Sequence, residues 1–189
     1  MSGTESAPMS STARYDGFAI VLHWVTAALA FSLFATAIWW EYAPRAIRFR
    51  FELEDLHVSL GLTLAAVVVV RLVWRLLRPQ VPRAEHGVAD LLAKAVHTLL
   101  YVALATQVVL GLTLSGLNGG ELSFFGLFSV PNPIARNRDA AEFVEQLHNW
   151  TAWTLIVVAG GHAAMALVHH YVMRDNVLRR MLPRFRSRA

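Results

Sequence analysis

The chain has 189 residues, 56% of them hydrophobic, with a mean hydropathy of +0.44, which is too apolar for one soluble domain and places it in a membrane. Its net charge of +4 has no soluble basic domain to carry it, so it marks topology and argues against nucleic acid as a partner. The sequence contains no cysteine, which excludes disulfides, cysteine-ligated iron–sulfur clusters, thiolate-ligated heme and covalent attachment through Cys-x-x-Cys-His.

Residues 1–15, rich in Ser, Thr and Ala, are expected to form a short disordered lead, with a cleaved signal peptide as the rival reading. Four stretches, 17–40, 56–77, 88–117 and 143–172, are apolar over the roughly 20 residues needed to cross the hydrocarbon. The first ends in Trp39 and Trp40, an interfacial anchor that suits a retained span. Pro79 and Pro82 close the second, and Asn118, Gly119 and Gly120 close the third. Residues 121–141, with Phe124, Phe125, Phe128, Pro131 and Pro133, read as a long structureless connection. It is either a lid or docking surface over the outer end, or an interfacial loop anchored by its phenylalanines. The expected fold is all-α, a transmembrane four-helix bundle over 16–175 that faces membrane lipid, followed by a basic tail over 176–189.

Arginine placement sets the orientation. Arg71, Arg75, Arg78, Arg83 and Lys94 flank the second connection, and Arg174, Arg179, Arg180, Arg184, Arg186 and Arg188 crowd the tail. Both belong on the cytoplasmic side, and so do the N- and C-termini. The first and third connections carry Arg45, Arg48, Arg50, Arg136 and Arg138 mixed with Glu41, Glu52, Glu54, Asp55, Glu121, Asp139, Glu142 and Glu145, and should face outward.

Against this background the eight histidines stand out. His23, His57, His97, His148, His162, His169 and His170 lie within or at the ends of apolar stretches, and His86 alone is in a polar one. A ligating side chain inside a bilayer is costly and points to function. His148 and His162 are 14 residues apart on the fourth span, which returns them to nearly one face about 21 Å apart. One helix can therefore offer a ligand to each of two stacked hemes. At the outer level the partner is His57. At the inner level His23, His97, His169 and His170 all qualify by depth.

A steric test separates the inner candidates. Helical side chains lean toward the N-terminus, so the residue four places after a ligand borders the space a macrocycle would fill. His23, His57, His148 and His162 are followed there by Ala27, Gly61, Ala152 and Ala166, but His97, His169 and His170 by Tyr101, Met173 and Arg174. The test selects His23, His57, His148 and His162 as axial ligands of two noncovalent hemes. Gly160 and Gly161 are read as allowing close approach beside His162. The competing readings are an interhelical hydrogen bond worth about 0.6 to 2 kcal/mol and a zinc site. Zinc gathers about four ligands, and residues about 21 Å apart cannot share one ion. Two imidazoles on each iron leave no open position for oxygen and suit electron transfer.

Arg71, 14 residues after His57, shares its face at the cytoplasmic level and suits a heme propionate or a quinone oxygen, or else snorkels to the interface. His169 stays on the face of His162 and suits proton donation to a quinone. His97 reads equally as an interhelical hydrogen bond or as a propionate or quinone contact. No role follows for His170.

Taken together, these residues resemble the bacterial cytochrome b561 family of four-helix, diheme inner-membrane proteins. The likeness rests on Leu22-His23-Trp24, His57 with Gly61, Val70-Arg71-Leu72-Val73-Trp74-Arg75, His97, His148 with His162, His169-His170-Tyr171, and the stretch from Asp175 to Pro183. It implies two hemes b in the bacterial inner membrane, the inner ligated by His23 and His162 and the outer by His57 and His148. It also implies a ubiquinone site near the cytoplasmic heme, with His169, Arg71 and His97 as candidates. The resemblance extends to at least one member that oxidises superoxide at the periplasmic face and passes the electron to ubiquinone, and it implies that Arg45, Arg48, Arg50, Arg136 and Arg138 form a positive entrance here. Two other classes remain: an electron-transfer subunit docking a periplasmic cytochrome or dehydrogenase through 121–141, and a hemeless scaffold or transporter.

Overall fold

The computed structural model describes residues 15–42, 47–78 and 87–183. The expected lead before Tyr15, Arg45, Pro79, Pro82, Arg83, His86 and the tail from 184 onward lie outside these residues, as do the side chains of Arg48 and Arg50. Four long helices form: α1 (Gly17–Tyr42), α2 (Ile47–Leu77), α3 (Val88–Leu117) and α4 (Arg138–Tyr171). Each contains a window apolar and long enough to span a membrane, with at most 17% of that window buried inside the chain. The outward faces are therefore apolar, as lipid requires. Helix hydroxyls are satisfied locally: Thr26 donates to the Leu22 carbonyl, Thr113 to Val109 and Thr154 to Trp150.

The helices associate as two hairpins. α1 packs along α2 and α3 along α4, α2 meets α3 more sparingly, and α1 barely touches α4. Leu64 and Val68 of α2, Ala103 and Leu104 of α3 and Leu155 of α4 are buried together, with Leu29 and Leu33 of α1 packed against them. This plug joins the two hairpins at mid-height.

Two expectations are corrected here. Residues 121–141 are not structureless, because they contain an antiparallel hairpin of β1 (Leu122–Phe124) and β2 (Phe128–Val130), and their last four residues already belong to α4. The Phe125 and Gly126 backbones at its turn have φ of 49° and 68°, the left-handed geometry a tight hairpin needs. The hairpin docks on α2 through Ser59, which is 1% exposed. Its hydroxyl accepts from the Phe125 N–H at 2.9 Å and donates to the Asp55 and Ser123 carbonyls at 2.7 and 3.2 Å. The rest of the connection is tied to α3: Asn132 donates to the Leu112 carbonyl, and the Asn137 N–H to Leu117. Gly116 is required there, since a Cβ would lie 2.6 Å from Asn132 Oδ1. The second correction concerns α2, which starts at Ile47, so His57 lies inside the helix and not at its start.

At the opposite end, both ends of the described chain meet. Asp16 caps α1 by accepting from the Ala19 N–H at 2.9 Å and also accepts from the Trp74 indole. A short 3-10 turn (Leu178–Met181) folds back so that the Trp24 indole donates to the Met181 carbonyl at 2.8 Å.

Candidate functional site

α4 carries an imidazole at each level, and the bundle brings a second one to face each across the seam. At the hairpin end, His57 of α2 and His148 of α4 have ring centres 6.3 Å apart with planes crossing at 70°. At the terminal end, His23 of α1 and His162 of α4 are 6.4 Å apart at 72°. Metal–imidazole bonds of about 2 Å, with ring centres about 1.1 Å behind each nitrogen, set two axial imidazoles about 6.2 Å apart. Both pairs fit one iron between them. His97 also faces His162, but at 5.1 Å, about 1 Å too close for that bridge.

The hydrogen bonds define which nitrogen each ring offers. Thr36 Oγ1 spends its single proton on the Leu33 carbonyl at 2.8 Å, so at 3.1 Å it accepts from His57 Nδ1. His57 thereby presents the lone pair of Nε2, the state a metal ligand needs. Gln107 Nε2 is a donor only, so its 3.0 Å contact occupies the lone pair of His148 Nε2, and a metal binding that nitrogen takes the place of the contact. His148 Nδ1 and Gln107 Oε1 are buried without partners among the described residues. Polar atoms left in that condition mark a place prepared for another group.

Space beside the ligands is uneven. A Cβ on Gly61 would meet nothing within 4 Å, which leaves room next to His57 for a macrocycle. Gly160 and Gly161 beside His162 likewise meet nothing within 4 Å. Close approach of two helices occurs at Gly111 of α3, whose Cβ would stand 3.2 Å from His148 Cε1. Among the described residues no three His, Cys, Asp or Glu converge as a cage for a free ion. The donor set therefore fits two bis-imidazole hemes better than a bare metal.

The terminal pair carries a charge nearby. Half-buried Arg71 points Nη2 at His23 Nδ1 from 3.2 Å, while its Nε donates to the Tyr101 hydroxyl at 3.1 Å. The guanidinium lies 5.1 Å from the centre of the Tyr101 ring, and that of Arg75 lies 5.0 Å from it. His97 turns Nδ1 back to the Ala93 carbonyl of its own helix. Below them His169 donates from Nδ1 to Asp175 Oδ2 at 2.5 Å. Slight burial opposes the charge on Asp175. The hydrogen bonds from His169 and the Val177 N–H, with the nearby His169 and Arg180 charges, outweigh it and hold this carboxyl below its ordinary value. The His170 ring meets that of Tyr171 edge to face, centres 4.8 Å apart, and its buried Nδ1 has no hydrogen-bond partner among the described residues.

At the hairpin end Arg136 and Arg138 are exposed, while Arg45 and the side chains of Arg48 and Arg50 lie outside the described residues. Thr36, Gln107 and Tyr101 escaped the reading of the sequence. Each had a signal: Thr36 and Gln107 are polar residues inside apolar spans, and Tyr101 is one helical turn after His97.

Comparison with known proteins follows the same pattern. The family model for prokaryotic cytochrome b561 matches residues 14–184. Cytochrome b561 homolog 2 of Escherichia coli K12 is 32% identical over 171 residues, covering 89% of this chain and 91% of the relative. The protein named Probable superoxide oxidase CybB of Yersinia pestis is 27% identical over 177 residues, covering 92% and 98%. Cytochrome b561 homolog 1 of E. coli K12 is 25% identical over 173 residues, covering 90% and 98%.

Proposed function

The chain belongs to the prokaryotic cytochrome b561 family and is a multi-pass bacterial membrane cytochrome of the b type acting in electron transfer, and on that premise we propose that it carries electrons from a periplasmic donor to ubiquinone. In this reading it lies in the inner membrane with its terminal end cytoplasmic. His57 and His148 hold one heme b near the periplasm, and His23 and His162 hold a second near the cytoplasm. The observation that carries this reading is the pair of ring separations, 6.3 and 6.4 Å, at opposite ends of one bundle.

Each heme supplies a reversible one-electron change at iron. The protein supplies the rest. Thr36 fixes the tautomer of His57 that leaves Nε2 free for the iron. The plug of Leu64, Val68, Leu104 and Leu155 keeps water out of the seam between the two levels. Toward the cytoplasm, Arg71 and His97 border the quinone site. His169, backed by Asp175, gives the quinone a proton as it is reduced.

Superoxide is the favoured donor, supported by the similarity to a protein named for superoxide oxidation and by Arg136 and Arg138 exposed at the hairpin end. With Arg45, Arg48 and Arg50 they would steer a small anion inward. Anaerobic optical spectroscopy of the purified protein tests this: superoxide should reduce the hemes faster than the buffer background, and a ubiquinone analogue should reoxidise them. Heme that superoxide leaves oxidised would overturn the donor assignment. Failure of the quinone to reoxidise it would overturn the acceptor. A second reading, a subunit docking a redox protein, draws on the hairpin tip, where Phe125, Leu127 and Phe128 are 48%, 77% and 57% exposed. Co-purification of a stoichiometric periplasmic cytochrome or dehydrogenase would favour it.

A further inference from the structure

The two imidazole pairs sit in opposite electrostatic surroundings. At the hairpin end the groups touching the imidazoles are neutral. Thr36 accepts the Nδ1 proton of His57, and the carboxamide of Gln107 meets His148. At the terminal end a guanidinium stands 3.2 Å from His23 Nδ1. No carboxylate among the described residues is ion-paired with Arg71, and its half-buried position limits screening by water. Tyr101 fixes the guanidinium in place, accepting from Nε at 3.1 Å and lying beneath it.

From this asymmetry we infer that Arg71 sets the terminal-end heme at a higher reduction potential than the hairpin-end heme, so that electrons run downhill from the outer face to the inner. The inference rests on the two-heme reading above. One lever acts at each end. A fixed positive charge beside a ligand favours the iron state carrying one more electron, because reduction brings that electron toward the charge. The Thr36 hydroxyl does the reverse: by accepting the Nδ1 proton it makes His57 a stronger donor and favours the oxidised iron.

The test is spectroelectrochemical titration of the purified holoprotein, with heme content counted first. His57→Ala, which leaves only the terminal-end heme, identifies that component in the wild-type curve, where it should be the upper midpoint. Arg71→Gln should shift the upper midpoint down and leave the lower one in place. Arg71→Lys, which keeps the charge, should shift it less. Tyr101→Phe, which frees the guanidinium without removing it, should lower the upper midpoint and serves as the readout if Arg71→Gln does not fold. Thr36→Val should raise the lower midpoint. If the His57→Ala protein titrates at the lower midpoint, or if neither Arg71→Gln nor Tyr101→Phe moves the upper one, the inference is wrong. Wild-type protein with fewer than two hemes per chain would instead sink the two-heme reading, before any potential is compared.

Discussion

Ser59→Ala removes a buried side chain that ties the β-hairpin to α2 beside the outer imidazole pair. Ser59 is 1% exposed, and its hydroxyl serves three backbone groups: the Phe125 N–H and the Asp55 and Ser123 carbonyls. The two carbonyls share a single proton, so their loss is partial, whereas the Phe125 N–H loses its acceptor entirely. A buried donor left unsatisfied costs about 1–3 kcal/mol, which lowers the ratio of docked to undocked hairpin by about 5- to 150-fold. Amide hydrogen exchange reads this directly. The Phe125 amide should exchange faster by that factor in Ser59→Ala, while the amides of Leu64 and Val68 in the plug keep their wild-type rates, because the plug does not touch the hairpin. The turn geometry at Phe125 and Gly126 is local and should survive. An unchanged exchange rate at Phe125 would mean that the hairpin is held by something other than Ser59.

Two further outcomes follow from the site. Gly61→Leu projects a side chain into the space beside His57, where a Cβ meets nothing within 4 Å, so the protein should keep its helical circular dichroism yet lose the hairpin-end heme; full heme content in this variant would place the macrocycle elsewhere. Asp175 has a folded-state pKa below its ordinary 3.8, so its contribution to docking the tail is complete above about pH 4 and is lost only as pH falls through the lower folded value. The indole N–H resonance of Trp24, which donates to the Met181 carbonyl, should report this loss in acid, and Asp175→Asn should weaken the tail contact already at neutral pH. Wild-type tail docking that failed at pH 5 would contradict the sign of this dependence.

Much of this protein follows from local sequence. A run of about 20 apolar residues cannot leave its backbone unpaired in hydrocarbon, so four such runs dictate four helices whatever their neighbours. Helical periodicity then puts His148 and His162 on one face of α4 at two depths, and Ala27, Gly61, Ala152 and Ala166 mark which imidazoles have room beside them. What periodicity cannot supply is the distance between helices. The 6.4 Å separation of His23 from His162 against 5.1 Å for His97 depends on how α1 and α3 pack about α4. The hairpin in 121–141 was also out of reach, because it is held by a serine 66 residues away from Phe125 in sequence. The contacts of Thr36, Gln107 and Arg71 with the imidazoles are cross-helix hydrogen bonds. Sequence sets which side chains a helix presents and at what depth, and packing alone decides which of them meet.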